Sequence, residues 1–214
     1  RQQRVAALHQ LVLVELRIGQ GDVAAVGPGL ALVGAGERMR AAQVVEVVGW
    51  ELVEAARQTG RGIVFLTPHL GCFEIAAQYY AAFGDITVLY RPPKQAAVQR
   101  MILAGRQRPN LHLAPANLSG VRSLIKALKQ GQAVGMLPDQ APKEGEGVWL
   151  KFFGRYAYTM TLAARLTETG ATTLMAWGER LPDGRGWSGW ALGSGVTGSG
   201  DSGAMAAPAG ACTA

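Results

Sequence analysis

Apolar and polar positions change period several times along the chain, and each change marks an element. The run GIVFL, residues 62–66, is continuous, branched and aromatic, as a strand buried on both faces should be. ITVLY (86–90), AVGML (133–137) and ATTLMAW (171–177) read the same way, with a shorter strand at 110–114. Helical spacing fills the gaps at 74–83, about 95–107, 119–130 and from Thr159 onward. In the third of these, Val121, Leu124, Ile125 and Leu128 fall inward, Arg122, Lys126 and Lys129 outward, and Ser119 stands where a cap belongs. Strands alternating with helices predict an α/β fold, a single domain over residues 1–192 with a mixed, largely parallel sheet flanked by helices.

The flanks are patterned differently. Val5, Leu8, Val12 and Leu16 give residues 4–18 one apolar side, and GQGDVAAVGPG then breaks the pattern. Residues 37–58 also read as a helix, with Met39, Val44, Val47, Val48, Leu52 and Ala55 at core positions and Gly60 as its stop. In GVWLKFFG, the side chains of Trp149, Phe152 and Phe153 fit either a lipid-facing lip or a core edge. LPDGRG is a turn leading to Trp187 and Trp190 on an edge strand. From Gly193 the composition collapses to Gly, Ser, Ala and Pro, a flexible or weakly ordered tail over 193–214.

Composition narrows the class. Apolar residues make up 49% and charged residues 17%, which suits a large core or a surface meeting lipid. No run approaches the roughly 18 apolar residues of a spanning helix, and Glu15 and Arg17 interrupt the first apolar stretch, unlike a signal peptide. The first residue is not Met, so the natural start is expected upstream. Cys72 and Cys212 are the only cysteines, which fits a reducing compartment, and Cys72 reads as a small packing side chain rather than a nucleophile. Of the net +6, residues 85–165 carry +8, from twelve Lys or Arg against four acids, leaving −2 for the rest. That middle suits an anionic partner: an anionic membrane, a phosphorylated substrate, an acidic carrier protein or nucleic acid, or else a solvated face. Nucleic acid fits worst, because the aromatic residues form no stacking platform beside the basic ones. Neither HExxH nor GxxxxGK[ST] occurs, and His9 and His112 lack a second ligand at useful spacing, so no metal or phosphate loop is expected.

The sharpest chemistry lies in TPHLGCFE, residues 67–74, at a strand-to-helix junction. His69 in the loop and Glu74 in the first helical turn meet if the chain folds the ring back over the carboxylate. A carboxylate on one ring nitrogen would fix the tautomer and leave the other as a proton acceptor. The alternative is a capping histidine beside a glutamate favoured by the helix dipole. Asp139 and Gln140 follow a second buried strand in the same grammar. They emerge near His69 if the two strands are parallel neighbours; otherwise Asp139 is a turn residue. Arg91 emerges after the strand that ends at Tyr90.

Taken together, GIVFLTPHLGCFE, VLYRPPK, the Arg106 neighbourhood, SLIKALKQGQAVGMLPDQAP, WLKFFGRYAYTMTLAARLTETGA and WGERLPDGRG resemble the bacterial lipid A biosynthesis (lauroyl/myristoyl) acyltransferases of the lysophospholipid acyltransferase superfamily. The likeness covers about residues 35–192. It implies a glycerol-3-phosphate acyltransferase-like fold and an O-acyltransferase in lipid A and lipopolysaccharide biosynthesis, with His69 and Glu74 matching the catalytic pair and Arg106 and Asp139 further substrate-placing positions. It also implies no bound cofactor. The donor would be a thioester on the phosphopantetheine of acyl carrier protein and the acceptor a phosphorylated glycolipid. The site of action would be the cytoplasmic face of the cell inner membrane. Arg91, Arg122, Lys126 and Lys129 are candidates for anionic contacts, and Tyr79, Tyr80, Trp149, Phe152 and Phe153 for a groove around the acyl chain. A glycerolipid acyltransferase using the same pair, or a non-catalytic binder of anionic lipid, are the rival readings.

Overall fold

In the computed structural model, residues 44–106 and 108–193 are described. The helix expected at 4–18, the breaker after it, Met39, Gln107 and the tail from residue 194 lie outside them. Among the described residues nine strands and five α-helices follow in the order β1 (Val44–Val48), α1 (Trp50–Gln58), β2 (Ile63–Leu66), α2 (Phe73–Tyr80), β3 (Ile86–Tyr90), α3 (Ala96–Arg106), β4 (Leu111–Pro115), α4 (Leu118–Lys129), β5 (Ala133–Met136), β6 (Gly147–Phe152), β7 (Arg155–Met160), α5 (Leu162–Thr167), β8 (Thr172–Arg180) and β9 (Trp187–Gly193). Seven strands form one sheet in the order β1-β9-β8-β2-β5-β3-β4, and β6 and β7 form a separate antiparallel pair. Only the β8–β9 pairing in the large sheet is antiparallel, so the architecture is α/β with a mixed, largely parallel sheet.

The central strands are apolar throughout because both their faces are covered. Side chains alternate between faces. On β2, Val64 and Leu66 join Leu124, Leu128, Met136 and Leu166 beneath α4 and α5. Ile63 and Phe65 join Val53, Tyr80, Ile86 and Leu174 beneath α1 and α2. The face expected of α4 is the one it buries, with Leu124 fully covered and Arg122, Lys126 and Lys129 exposed. Its cap is Asn117 rather than Ser119: the Asn117 side-chain oxygen accepts from the amides of Ser119 at 2.9 Å and Gly120 at 3.2 Å.

Several elements depart from what the sequence predicts. VVEVV at 44–48 is a strand, not the first half of a helix, because its β-branched residues pair in parallel with β9. Gly49, at φ 82, ends it, and the helix then buries Val53 and Ala56 while leaving Leu52 and Ala55 exposed. The helix expected from Thr159 begins at Leu162, since Thr159 and Met160 complete β7. The strand from Trp187 is not at the edge, because β1 covers its outer side. No helix among the described residues is long and apolar enough to cross a membrane.

Candidate active site

The site grows out of the register between β2 and β5. These strands pair in parallel, Ile63 to Leu66 against Ala133 to Met136, and the Thr67 amide extends the ladder to the Met136 carbonyl at 2.9 Å. His69 and Asp139 each lie three residues past the last paired rung. Side chains 70 positions apart in sequence are thereby set together at the carboxyl ends of the strands.

Asp139 grips His69 twice. Its Oδ2 accepts from the His69 backbone amide at 2.7 Å, and its Oδ1 lies 2.9 Å from Nδ1 of the ring. A carboxylate facing Nδ1 places the proton there, so Nε2 carries the lone pair. Gln140 Nε2 donates toward that lone pair at 3.3 Å. The Phe73 ring lies edge-on to the imidazole, 5.0 Å between centroids. His69 stays 40% exposed and Asp139 31%, so a substrate can reach the ring.

Glu74 does not orient the ring, as its position in sequence suggested. Its two carboxylate oxygens are held by Arg106, one from Nε at 2.9 Å and the other from Nη2. The reason is geometric: Glu74 belongs to the first turn of α2, whereas Arg106 sits in the last turn of α3 and reaches it as a two-pronged partner. The Arg106 guanidinium also covers the Tyr90 ring, 5.3 Å from its centroid. Tyr90 is the last residue of β3, and Arg91 follows it, exposed. Support of Arg106 by Tyr90 was not expected from the sequence; the available signal was its place at the end of a strand, two residues before paired prolines.

Residues 30–188, more than half of the chain, match the family model described as bacterial lipid A biosynthesis acyltransferase. The chain belongs to that family. It is 28% identical over 150 residues to the lipid A biosynthesis lauroyltransferase of Escherichia coli K12, covering 69% of this chain and 48% of that protein. It is 25% identical over 118 residues to a lipid A biosynthesis acyltransferase of Haemophilus influenzae, covering 54% and 36% respectively. The lipid A biosynthesis palmitoleoyltransferase of E. coli K12 is 26% identical over 95 residues, 44% of this chain and 30% of that one. The chain thus spans about half or less of the curated relatives it matches.

Within this acyltransferase family member, the turn after His69 is braced against β8. Gly71 pairs with Gly178, and the Cys72 amide donates to the Gly178 carbonyl at 2.7 Å. Gly178 lies inside a strand because a Cβ there would strike Ile75, the kind of close approach an interior strand glycine often marks. With the His69 and Cys72 amides engaged, those of Leu70 and Gly71 are the ones in this turn that meet no acceptor among the described residues. Burial pushes the Cys72 thiol up despite a hydrogen bond from the Ile75 amide, so it is held as the thiol rather than the nucleophilic thiolate. Beside α2, an open apolar groove is lined by Trp50, Val53, Phe65, Ile75, Ala76 and Tyr79 among others. Tyr80 also lines it, while Trp149 and Phe153 stand away from it, exposed on the β6–β7 hairpin. No group of three or more metal-ligating side chains occurs among the described residues.

Proposed function

We propose that the protein transfers a fatty acyl chain from the thioester of an acyl carrier protein to a hydroxyl of a lipid A precursor, with His69 as general base. The observation that carries this reading is the imidazole itself: Nδ1 is committed to Asp139, while Nε2, on a side chain 40% exposed, meets only the Gln140 amide at 3.3 Å, a long contact that an incoming hydroxyl can replace. As the acceptor oxygen attacks the thioester carbonyl, its proton passes to Nε2 and the carboxylate of Asp139 offsets the charge on the ring. The tetrahedral intermediate collapses by breaking the C–S bond, and the imidazolium returns the proton to the leaving sulfur. No covalent enzyme intermediate is needed, in keeping with a Cys72 held as the thiol. The amides of Leu70 and Gly71 are the candidate donors to the oxyanion.

Glu74 and Arg106 hold each other and, in this reading, place substrate rather than shuttle the proton. Arg91 supplies an exposed cation for a phosphate of either substrate. The apolar groove beginning at Ile75 and Ala76, directly after Glu74, is proposed for the acyl chain. An anionic glycolipid acceptor and an acidic carrier suit the +8 of residues 85–165. Work at the cytoplasmic face of the inner membrane is part of the same proposal.

The rival acceptor is a glycerol phosphate lipid. Offered a phosphorylated glucosamine lipid and lysophosphatidic acid in competition, the protein is expected to acylate the glucosamine lipid at least tenfold faster. Preference for lysophosphatidic acid would overturn the acceptor assignment.

A further inference from the structure

The β6–β7 hairpin presents a face that the other described elements leave exposed. Its inward residues Val148 and Leu150 pack against the core. Residues directly opposite in an antiparallel pair share a face, so Trp149 with Tyr158 and Lys151 with Tyr156 form the outer one. Trp149 is 66% exposed, Tyr156 67% and the tip residue Phe153 63%. The Trp149 and Tyr158 rings lie 5.3 Å apart, making the aromatic surface continuous at the hairpin base.

The turn points the same way. Phe153 and Gly154 alone connect the strands, at φ 47 and 78. Positive φ at both central positions is the pattern of a type I′ turn, whose first place belongs to Asn, Asp or Gly. A bulky aromatic residue there is strained, and strain of this kind collects at functional sites. Here it sets a phenyl ring at the tip. Lys151 on the outer face and Arg155 at the tip, on the opposite face with its partner Phe152, are both exposed, and residues 147–160 contain no acid. Lys143, Glu144 and Glu146 lie in the preceding loop.

We propose that this outer face and the hairpin tip together dock the protein on an anionic bilayer surface. Phe153 and Trp149 enter the boundary between headgroups and acyl chains, Tyr156 and Tyr158 lie at headgroup level, and Lys151 and Arg155 take lipid phosphates. A bilayer fits better than a protein partner. The exposed aromatic rings stand on a two-stranded ribbon whose only charges between residues 147 and 160 are basic, and a fluid anionic surface requires no shape complementarity from it. The loop 141–146 joins Gln140 to β6, so docking here holds the His69 site beside the surface from which a lipid acceptor comes. That last step rests on the proposed acyltransferase function; the docking itself does not.

The test is flotation of the full chain with vesicles of phosphatidylethanolamine and phosphatidylglycerol, and with phosphatidylcholine alone, without donor or acceptor. Phe153→Asn suits the turn backbone, so it should fold with an unchanged or higher Tm while binding the anionic vesicles at least tenfold more weakly. Lys151→Gln with Arg155→Gln is expected to weaken that binding roughly thirtyfold at low salt, with little change on phosphatidylcholine. Acyl transfer to detergent-dispersed acceptor should persist in both variants. Its absence in parent and variants alike would count against the acyltransferase reading and leave the docking result standing. Anionic-vesicle binding within twofold of the parent in both variants would overturn the proposal and hand the face to a protein partner.

Discussion

Asp139→Asn is expected to lower acyl transfer by about 10²- to 10⁴-fold while the protein stays folded. The carboxylate makes two bonds that an amide cannot both replace. It accepts from the His69 backbone amide and from ring Nδ1, whereas an asparagine has one oxygen and one NH₂. Whichever donor faces the NH₂ group loses its acceptor, and the imidazolium formed during attack loses its counter-charge. The tautomer should shift as well, which nitrogen NMR of the His69 ring can read: Nδ1 protonated in the parent, mixed in the variant. Glu74→Gln and Arg106→Gln should behave as one unit. Each breaks the same two-pronged contact, so the double variant should be little worse than either single change. A Glu74→Gln variant with a disturbed His69 tautomer and an undisturbed Asp139→Asn would reverse the assignment of the two carboxylates.

Gly71→Ala should destabilise the protein by roughly 2–5 kcal/mol, from about 1–2 for a left-handed backbone carrying a side chain and about 1–3 for overpacking. Gly71 sits at φ +57, and a Cβ there would be driven into the Gly178 carbonyl oxygen. That oxygen accepts from Cys72 at 2.7 Å, so relief of the clash pulls the His69 turn away from β8. Activity should therefore fall by more than the folded fraction does. Gly60 provides the control: its φ is +64, but nothing lies within 4 Å of a Cβ built there. Gly60→Ala should cost only the backbone part. Urea midpoints for the two variants separate the contributions, and equal losses would remove the steric argument.

The central strands were legible in the sequence because burial on both faces leaves an uninterrupted apolar run, as in β2 and β5. β1 was not, because Val44, Val47 and Val48 satisfy helical spacing as well as strand composition, and only pairing with β9 decides between them. The β6–β7 hairpin was hidden by its turn, since Phe-Gly is not one of the dipeptides that announce a two-residue loop. At the site, strand grammar offered the meeting of Asp139 with His69 on the condition that β2 and β5 pair in parallel, and the structure meets that condition. Which carboxylate takes the ring was not legible. Nearness in sequence favoured Glu74, whereas the parallel register delivers Asp139 and leaves Glu74 to an arginine from another helix.

The central claim is that His69 takes the acceptor proton in an acyl transfer. It is tested most directly by single-turnover transfer of a labelled acyl chain from acyl carrier protein to a lipid A precursor, comparing the parent with His69→Ala at matched folding. The expected result is acylated precursor from the parent and a loss of about 10³-fold or more in the variant. Equal rates from the two proteins, or none from a folded parent, would contradict the claim.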